Sequence, residues 1–202
     1  MNILKVNYLF LEYENNKITS MISKEYDKYI STISTRSMAA SLLCCSYFIH
    51  LIKTLNPKRV IDFGSGFSSF AIRKYNKLTG SKIETWSVDS DKLWLERSIE
   101  FCNENGVDTN HFYTWDQVKD NDVPFDLIFF DIDRTVNRIR YFNDLFDRFS
   151  DNGSYILFDD MHKKVLSRHL HSKLKHIDHI FYDTSEVTRD RNRYSYLVKV
   201  GK

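Results

Sequence analysis

Hydrophobic and polar positions change period along the chain. Between residues 37 and 55 apolar side chains fall at Ala40, Leu43, Cys44, Tyr47, Phe48, Leu51, Ile52 and Leu55. This spacing of three and four predicts an amphipathic helix, and Asn56-Pro57 stops it. Beyond that point short apolar runs alternate with helical patterns. Strands are expected at 59–63, 82–88, 111–114, 125–131, 154–158, 179–184 and 193–200, and helices at 67–79, 91–105, 135–149 and 163–174. Gly80, Gly106 and Gly153 each follow a helical pattern, where a left-handed terminal residue belongs. Such alternation predicts an α/β fold around a parallel sheet. Residues 1–36 are mixed, and the pattern identifies no chemistry there.

Composition narrows this reading. A chain of 202 residues with 42% hydrophobic and 15% aromatic content is expected to form one domain with a substantial core. A net charge of +2 gives no whole-molecule field toward nucleic acid or an anionic membrane. Three cysteines, two of them adjacent at Cys44 and Cys45, make no disulfide framework and point to a reducing, cytoplasmic setting. The first apolar run is broken by Lys5, Asn7 and Glu12, so a signal peptide is not expected. No apolar stretch is long enough to span a bilayer, so no membrane partner is expected.

The chemistry concentrates at strand ends. In RVIDFGSGFSSF an apolar run ends in a turn containing Gly64 and Gly66, which allow positive φ and close backbone approach to a ligand. The next strand delivers Asp89. A glycine turn at one strand end and an acid at the next is how open α/β sheets hold an adenosine ribose. A nucleoside-containing cofactor follows, with Gly64, Ser65, Gly66, Ser68, Asp89 and Ser90 as its contacts. Dinucleotide sites carry a third glycine, which G-S-G-F-S-S lacks, and usually an aliphatic residue where this chain has Asp62. A carboxylate there repels pyrophosphate and suits the ammonium of a methionine moiety. Asp89 is also placed to cap the following helix. Asp116 accepts from an adenine amino group, with Trp115 against the ring, or else caps a solvated turn.

With DFGSGFSS, VDSD, FDLIFFDID and SYILFDD in this order, the chain resembles the class I S-adenosylmethionine-dependent methyltransferases over roughly residues 59–200. The resemblance implies a doubly wound, Rossmann-like sheet of seven strands, six parallel and the last antiparallel. An N-terminal helical cap (1–56) would precede a cofactor-binding catalytic core (57–202), with S-adenosyl-L-methionine as cofactor.

FFDIDRTVNRIRYF followed by ILFDDMHKK is similar to the catechol and macrolide-sugar O-methyltransferase-like branch, where magnesium holds the acceptor oxygens. That likeness implies Asp131, Asp159 and Asp160 as ligands of Mg2+ or Mn2+. In metal-free relatives the first of these acids contacts cofactor or substrate instead. Consecutive aspartates in a regular strand also face opposite sides, so both reach one ion only if the strand has given way to a turn. Relatives place a His where this chain has Arg134. Arginine stays protonated and accepts no proton; Arg134 would clamp an anionic substrate or pair with Asp133. His162 then joins Asp131 as a catalytic candidate, or is an exposed His at a helix start.

The implied activity is methyl transfer to an oxygen of a small polar molecule, with a homodimer through the N-terminal helices as a candidate assembly. RNA methylation is a rival, although a Lys53, Asp131, Lys163, Glu186 tetrad matches poorly beside an acidic fifth-strand end. A catalytically silent binding domain is a second rival. Arg189, Arg191 and Arg193, with Asp190 between them, read as a solvated turn.

Overall fold

The structure, a computed structural model, describes residues 3–201. Seven strands form one sheet: β1 (Arg59–Phe63), β2 (Glu84–Asp89), β3 (Phe112–Thr114), β4 (Leu127–Phe130), β5 (Tyr155–Phe158), β6 (His179–Asp183) and β7 (Tyr196–Val200), in the order β3-β2-β1-β4-β5-β7-β6. The pairs among β1 to β5 are parallel, and β7 runs antiparallel to both neighbours, as expected. The continuous apolar runs of β1, β4 and β5 have a direct cause: helices cover both faces of the sheet. Val60, Leu127, Phe129 and Leu157 join one core layer, while Ile61, Phe63, Ile128, Phe130, Ile156 and Phe158 join the other. The two-residue period of a strand sorts them.

Ten helices accompany these strands among the described residues: α1 (Ile3–Leu9), α2 (Asn15–Thr32), α3 (Leu42–Leu55), α4 (Phe67–Thr79), α5 (Lys92–Glu104), α6 (Trp115–Val118), α7 (Thr135–Arg138), α8 (Phe142–Asp147), α9 (Lys164–Leu174) and α10 (Ser185–Thr188). A π-helical turn (Phe10–Glu14) joins α1 to α2. The helix expected from residue 37 starts at Leu42, because Ser41 caps it by accepting from Cys44 N. Nor is it amphipathic: Cys44 to Ile52 are all buried, the signature of a helix enclosed on every side. The mixed segment before it contains the longest helix. α2 buries Ile18, Ile22, Tyr26 and Tyr29, with the rings of Tyr26 and Tyr29 at 4.9 and 5.7 Å from Phe67. Each such fully buried ring stabilises by about 1.5–3 kcal/mol.

The helix expected over 135–149 is broken into α7, a 3-10 turn (Ile139–Tyr141) and α8. In the tighter turn residues three apart eclipse, which sets Arg138 and Tyr141, both buried, on one side. The three cysteines are free and buried. Among the described residues no helix is long and apolar enough to cross a membrane.

Candidate active site

The carboxyl ends of β1, β2, β4 and β5 open into a cavity of about 430 Å³. At the end of β1, Gly64 adopts φ +105, and a Cβ there would meet the Asp131 carbonyl at 2.6 Å. That glycine is required by the tight β1–β4 contact, in which Asp131 N donates to Phe63 O. Gly66 departs from expectation: its φ of 171 is extended backbone. Its lack of a side chain makes room for the Tyr29 hydroxyl, 3.2 Å from where a Cβ would sit.

Asp62 is fully buried, does not line the cavity, and braces the turn from behind. Ser68 Oγ donates to it at 2.9 Å and Ser69 Oγ at 2.5 Å. Burial pushes its carboxyl up to about 7, against the pull of those two hydroxyls. Its Oδ1 is buried without a hydrogen-bond partner. Asp89 lines the cavity, accepting from Asp91 N at 2.9 Å and Ser65 Oγ at 3.1 Å. Burial raises it to about 6, while those donors oppose the rise. Capping of α5 falls to Asp91, which accepts from Leu93 N and Trp94 N, so Asp89 is released from that duty. The Trp94 indole donates to Ser65 O at 2.7 Å and fixes the turn from outside.

Ser90 lines both this cavity and a neighbouring one of about 490 Å³, whose wall includes Trp115, Asp116 and Tyr141. Asp116 is exposed and pairs with Lys119 at 3.0 Å. Trp115 is partly buried, packing edge-on against Tyr141 at 4.7 Å and near Phe63 at 6.0 Å. The structure thus gathers Gly64, Ser65, Gly66, Ser68, Asp89 and Ser90 in one wall and sets Asp116 in the adjoining one.

The acidic ends of β4 and β5 fulfil the metal expectation only in part. β5 ends at Phe158, and Asp160 has a left-handed φ of 64, so the strand has indeed given way to a turn. Cations of the chain itself fill the space between the acids. Arg138 Nη2 lies 2.6 Å from Asp131 Oδ1 and its Nη1 3.5 Å from Asp160 Oδ2. Arg193 lies 3.6 Å from Asp159 and 3.8 Å from Asp160, and Lys163 lies 2.5 Å from Asp160. Asp159 accepts from Ser195 Oγ at 2.8 Å and does not line the cavity. Among the described residues no three His, Cys, Asp or Glu side chains are grouped to hold a metal. The three aspartates therefore do not fit a divalent ion, and the expected metal centre is corrected to a carboxylate–guanidinium cluster. Burial raises the Asp131 carboxyl and Arg138 opposes it; the 2.6 Å contact is that of a charged pair. Burial alone would raise Asp160, but Lys163, Arg138 and Arg193 hold it below the usual carboxylate range.

His162 does not line the cavity; Lys163 beside it does. Its ring sits 6.3 Å from Tyr194, with Nδ1 3.8 Å from Asp160, and burial lowers its titration against the pull of that acid. Asp133 pairs with Arg140 at 3.1 Å rather than with Arg134, which lines the cavity. The basic loop is the larger correction. Arg193 turns inward, and its Nη1 donates to Arg36 O at 3.0 Å and Ala39 O at 2.9 Å, tying the loop before α3 to the acids. Ser37 to Ala40 of that loop line the cavity. Tyr29, Trp94, Arg138 and Arg193 are among the site residues the sequence did not yield. Each is positioned by contacts between distant segments.

No protein-family model and no curated protein matches the chain. Solved structures do. The SAH-bound methyltransferase PaMTH1 of Podospora anserina superposes with a TM-score of 0.70 at 16% identity, covering 90% of this chain and 88% of that one. The SAM-bound O-methyltransferase TomG of Streptomyces achromogenes, involved in tomaymycin synthesis, gives 0.58 at 14% identity, covering 100% and 97%. The SAH-bound O-methyltransferase of Bacillus cereus gives 0.58 at 13% identity, covering 96% of each chain. Sheet order, the antiparallel β7 and these superpositions together give the chain the fold of the class I S-adenosylmethionine-dependent O-methyltransferases.

Proposed function

We propose that the chain transfers a methyl group from S-adenosyl-L-methionine to an oxygen of a small polar molecule. The observation that carries this reading is Asp89, a carboxylate at the end of β2 that opens into a cavity with the Gly64–Ser68 turn on one side and Asp131 on the other. The residues fit the cofactor: Asp89 keeps acceptor capacity for two ribose hydroxyls, and Asp62, buried behind the turn and outside the cavity wall, keeps an unpartnered Oδ1 whose charge suits an ammonium in front of the turn. Ser90 and Trp115 line the way to the neighbouring cavity, where Asp116 would meet an adenine edge. When bound, the cofactor supplies an electrophilic methyl group.

The acceptor lies between Asp131 and the loop at residues 37–40. Asp131 takes the hydroxyl proton and orients the oxygen. Arg134, at the mouth, holds an acidic group of the acceptor; it makes no ion pair among the described residues. The loop before α3 excludes water, because Arg193 holds it down over the cavity. Asp131 replaces His162 as the base, since the imidazole lies outside the cavity wall.

Two measurements test the reading. Calorimetry should show S-adenosylhomocysteine binding and negligible NAD binding; tight NAD binding would overturn it. Labelled cofactor should pass its methyl group into a metabolite pool. Label appearing only in RNA would favour the nucleic-acid rival, and cofactor binding with no transfer to either pool would favour a silent domain.

A further inference from the structure

Arg138 occupies an unusual place for an arginine. Its side chain is only 4% exposed, at the point where the two central strand ends meet their acids. Nε donates to Ile132 O at 2.9 Å and Nη2 to Asp133 O at 3.0 Å, beyond β4. The same fork reaches Asp131 at 2.6 Å and Asp160 at 3.5 Å, so one planar cation bridges carboxylates from two adjacent strands. The charges close without any ion: Asp131, Asp159 and Asp160 face Arg138, Arg193 and Lys163, three negative against three positive. Adding a divalent cation would leave a largely buried cluster with a net charge of +2, a costly state unless a guanidinium departs. Arg138 cannot depart cheaply, because its backbone contacts as well as its ion pairs would have to break.

We propose that Arg138 is a positioning residue that stands in for a divalent cation, holding Asp131 and Asp160 at the acceptor wall so that methyl transfer runs without metal. This deepens the methyl-transfer reading above, but its main test does not depend on that reading. A guanidinium suits the role because it is permanently charged and its donors have fixed directions, whereas a magnesium ion must be bound from solution.

The experiment titrates Mg2+ and Mn2+ into the chelator-treated full chain and follows the melting temperature. The wild type should show no shift. Arg138→Met keeps the length and removes the charge, leaving three carboxylates against two cations. It should melt lower, and Mn2+ should then raise its melting temperature. Arg138→Lys should lose less than Arg138→Met, because charge is kept and only the fork is lost.

Once an acceptor is found, chelator should leave wild-type turnover unchanged. Arg138→Met should lower kcat by about tenfold or more while leaving S-adenosylhomocysteine affinity nearly unchanged. A wild-type melting temperature that rises with Mn2+ and ceases to do so in Asp131→Asn would overturn the proposal, as would chelator stopping turnover. A folded Arg138→Met that ignores Mn2+ would remove the equivalence between guanidinium and cation. If that variant fails to fold, the wild-type and Asp131→Asn titrations decide alone. If no methyl acceptor is found, the melting data still decide the inference.

Discussion

At the scale of single residues, the two acids proposed to serve the cofactor divide the work. Asp62 braces the turn from beneath, and Asp89 opens into the cavity. Asp89→Ala should weaken S-adenosylhomocysteine by about 2–4 kcal/mol, since two hydrogen bonds to a charged acceptor are lost; unchanged calorimetric affinity in a folded variant would sink the assignment. Its pKa near 6 adds a pH dependence with a definite sign. On the proposed role, ribose hydroxyls would donate to the ionised carboxylate, so binding should be steady above about pH 7. It should weaken as pH falls through 6, by roughly tenfold per unit well below the pKa. A profile flat down to pH 5 would remove Asp89 from the ribose. Asp62, Asp89 and Asp131 were legible because each follows an apolar run, where the end of a strand can be read. Tyr29, Trp94 and Arg193 were not, because a tyrosine on a polar helix and an arginine in a charged loop carry no periodic signal. Their roles exist only once α2 and the β6–β7 loop fold back on the turn.

Among elements, β1 and α4 could be read to the residue, because an apolar run, a glycine turn and Gly80 at the helix end all speak locally. The region from Thr135 to Asp147 could not, since the break at Ile139–Tyr141 follows from burying Arg138 and Tyr141 together. The periodicity did not give α2, because its apolar side chains are spread among Lys, Glu and Asp; the helical N-terminal region was implied by the resemblance alone. With its tyrosines against Phe67 and Tyr29 in the cavity wall, the N-terminal segment belongs to the core and the site alike. Removing residues 1–30 should therefore cost both stability and S-adenosylhomocysteine affinity, although the pattern of the sequence identifies no chemistry there. A truncated chain with an unchanged melting transition and affinity would make the segment an appendage after all. The loop before α3 offers a finer test. Arg193→Ala removes its anchor and leaves Asp159 poorly compensated, at a cost of up to about 3 kcal/mol. Hydrogen exchange should rise at residues 36–41, and turnover should fall more than cofactor affinity. Unchanged protection there would show that the loop holds itself.

For the whole molecule, the alternation of strand and helix was enough to predict an α/β fold around a parallel sheet, because covering both faces of parallel strands leaves few alternatives; the doubly wound, seven-stranded order came from the resemblance. What the pattern could not give was the electrostatic balance of the interior, which depends on side chains meeting from far apart. Asp62 shows the consequence for stability. Its carboxyl titrates near 7 in the folded chain against an ordinary value of 3.8. Between those values the folded state holds a proton that the unfolded state has released, so this group's contribution falls as pH rises through that window. The full effect is at most about 4 kcal/mol, being three pH units of differential protonation. Asp62→Asn is neutral throughout, and its amide oxygen still accepts from the Ser68 and Ser69 hydroxyls. The variant should gain stability relative to wild type between pH 5 and pH 8, measured by denaturant melts at both. At pH 8 it should also bind S-adenosylhomocysteine more weakly, because the ammonium loses the field of a carboxylate behind the turn. Parallel stability profiles would mean that Asp62 is ionised in the free protein. A stability gain without any loss of affinity would mean that Asp62 serves the turn alone. Stability gained while affinity is lost would identify a buried carboxylate kept at the expense of the fold for the sake of the cofactor.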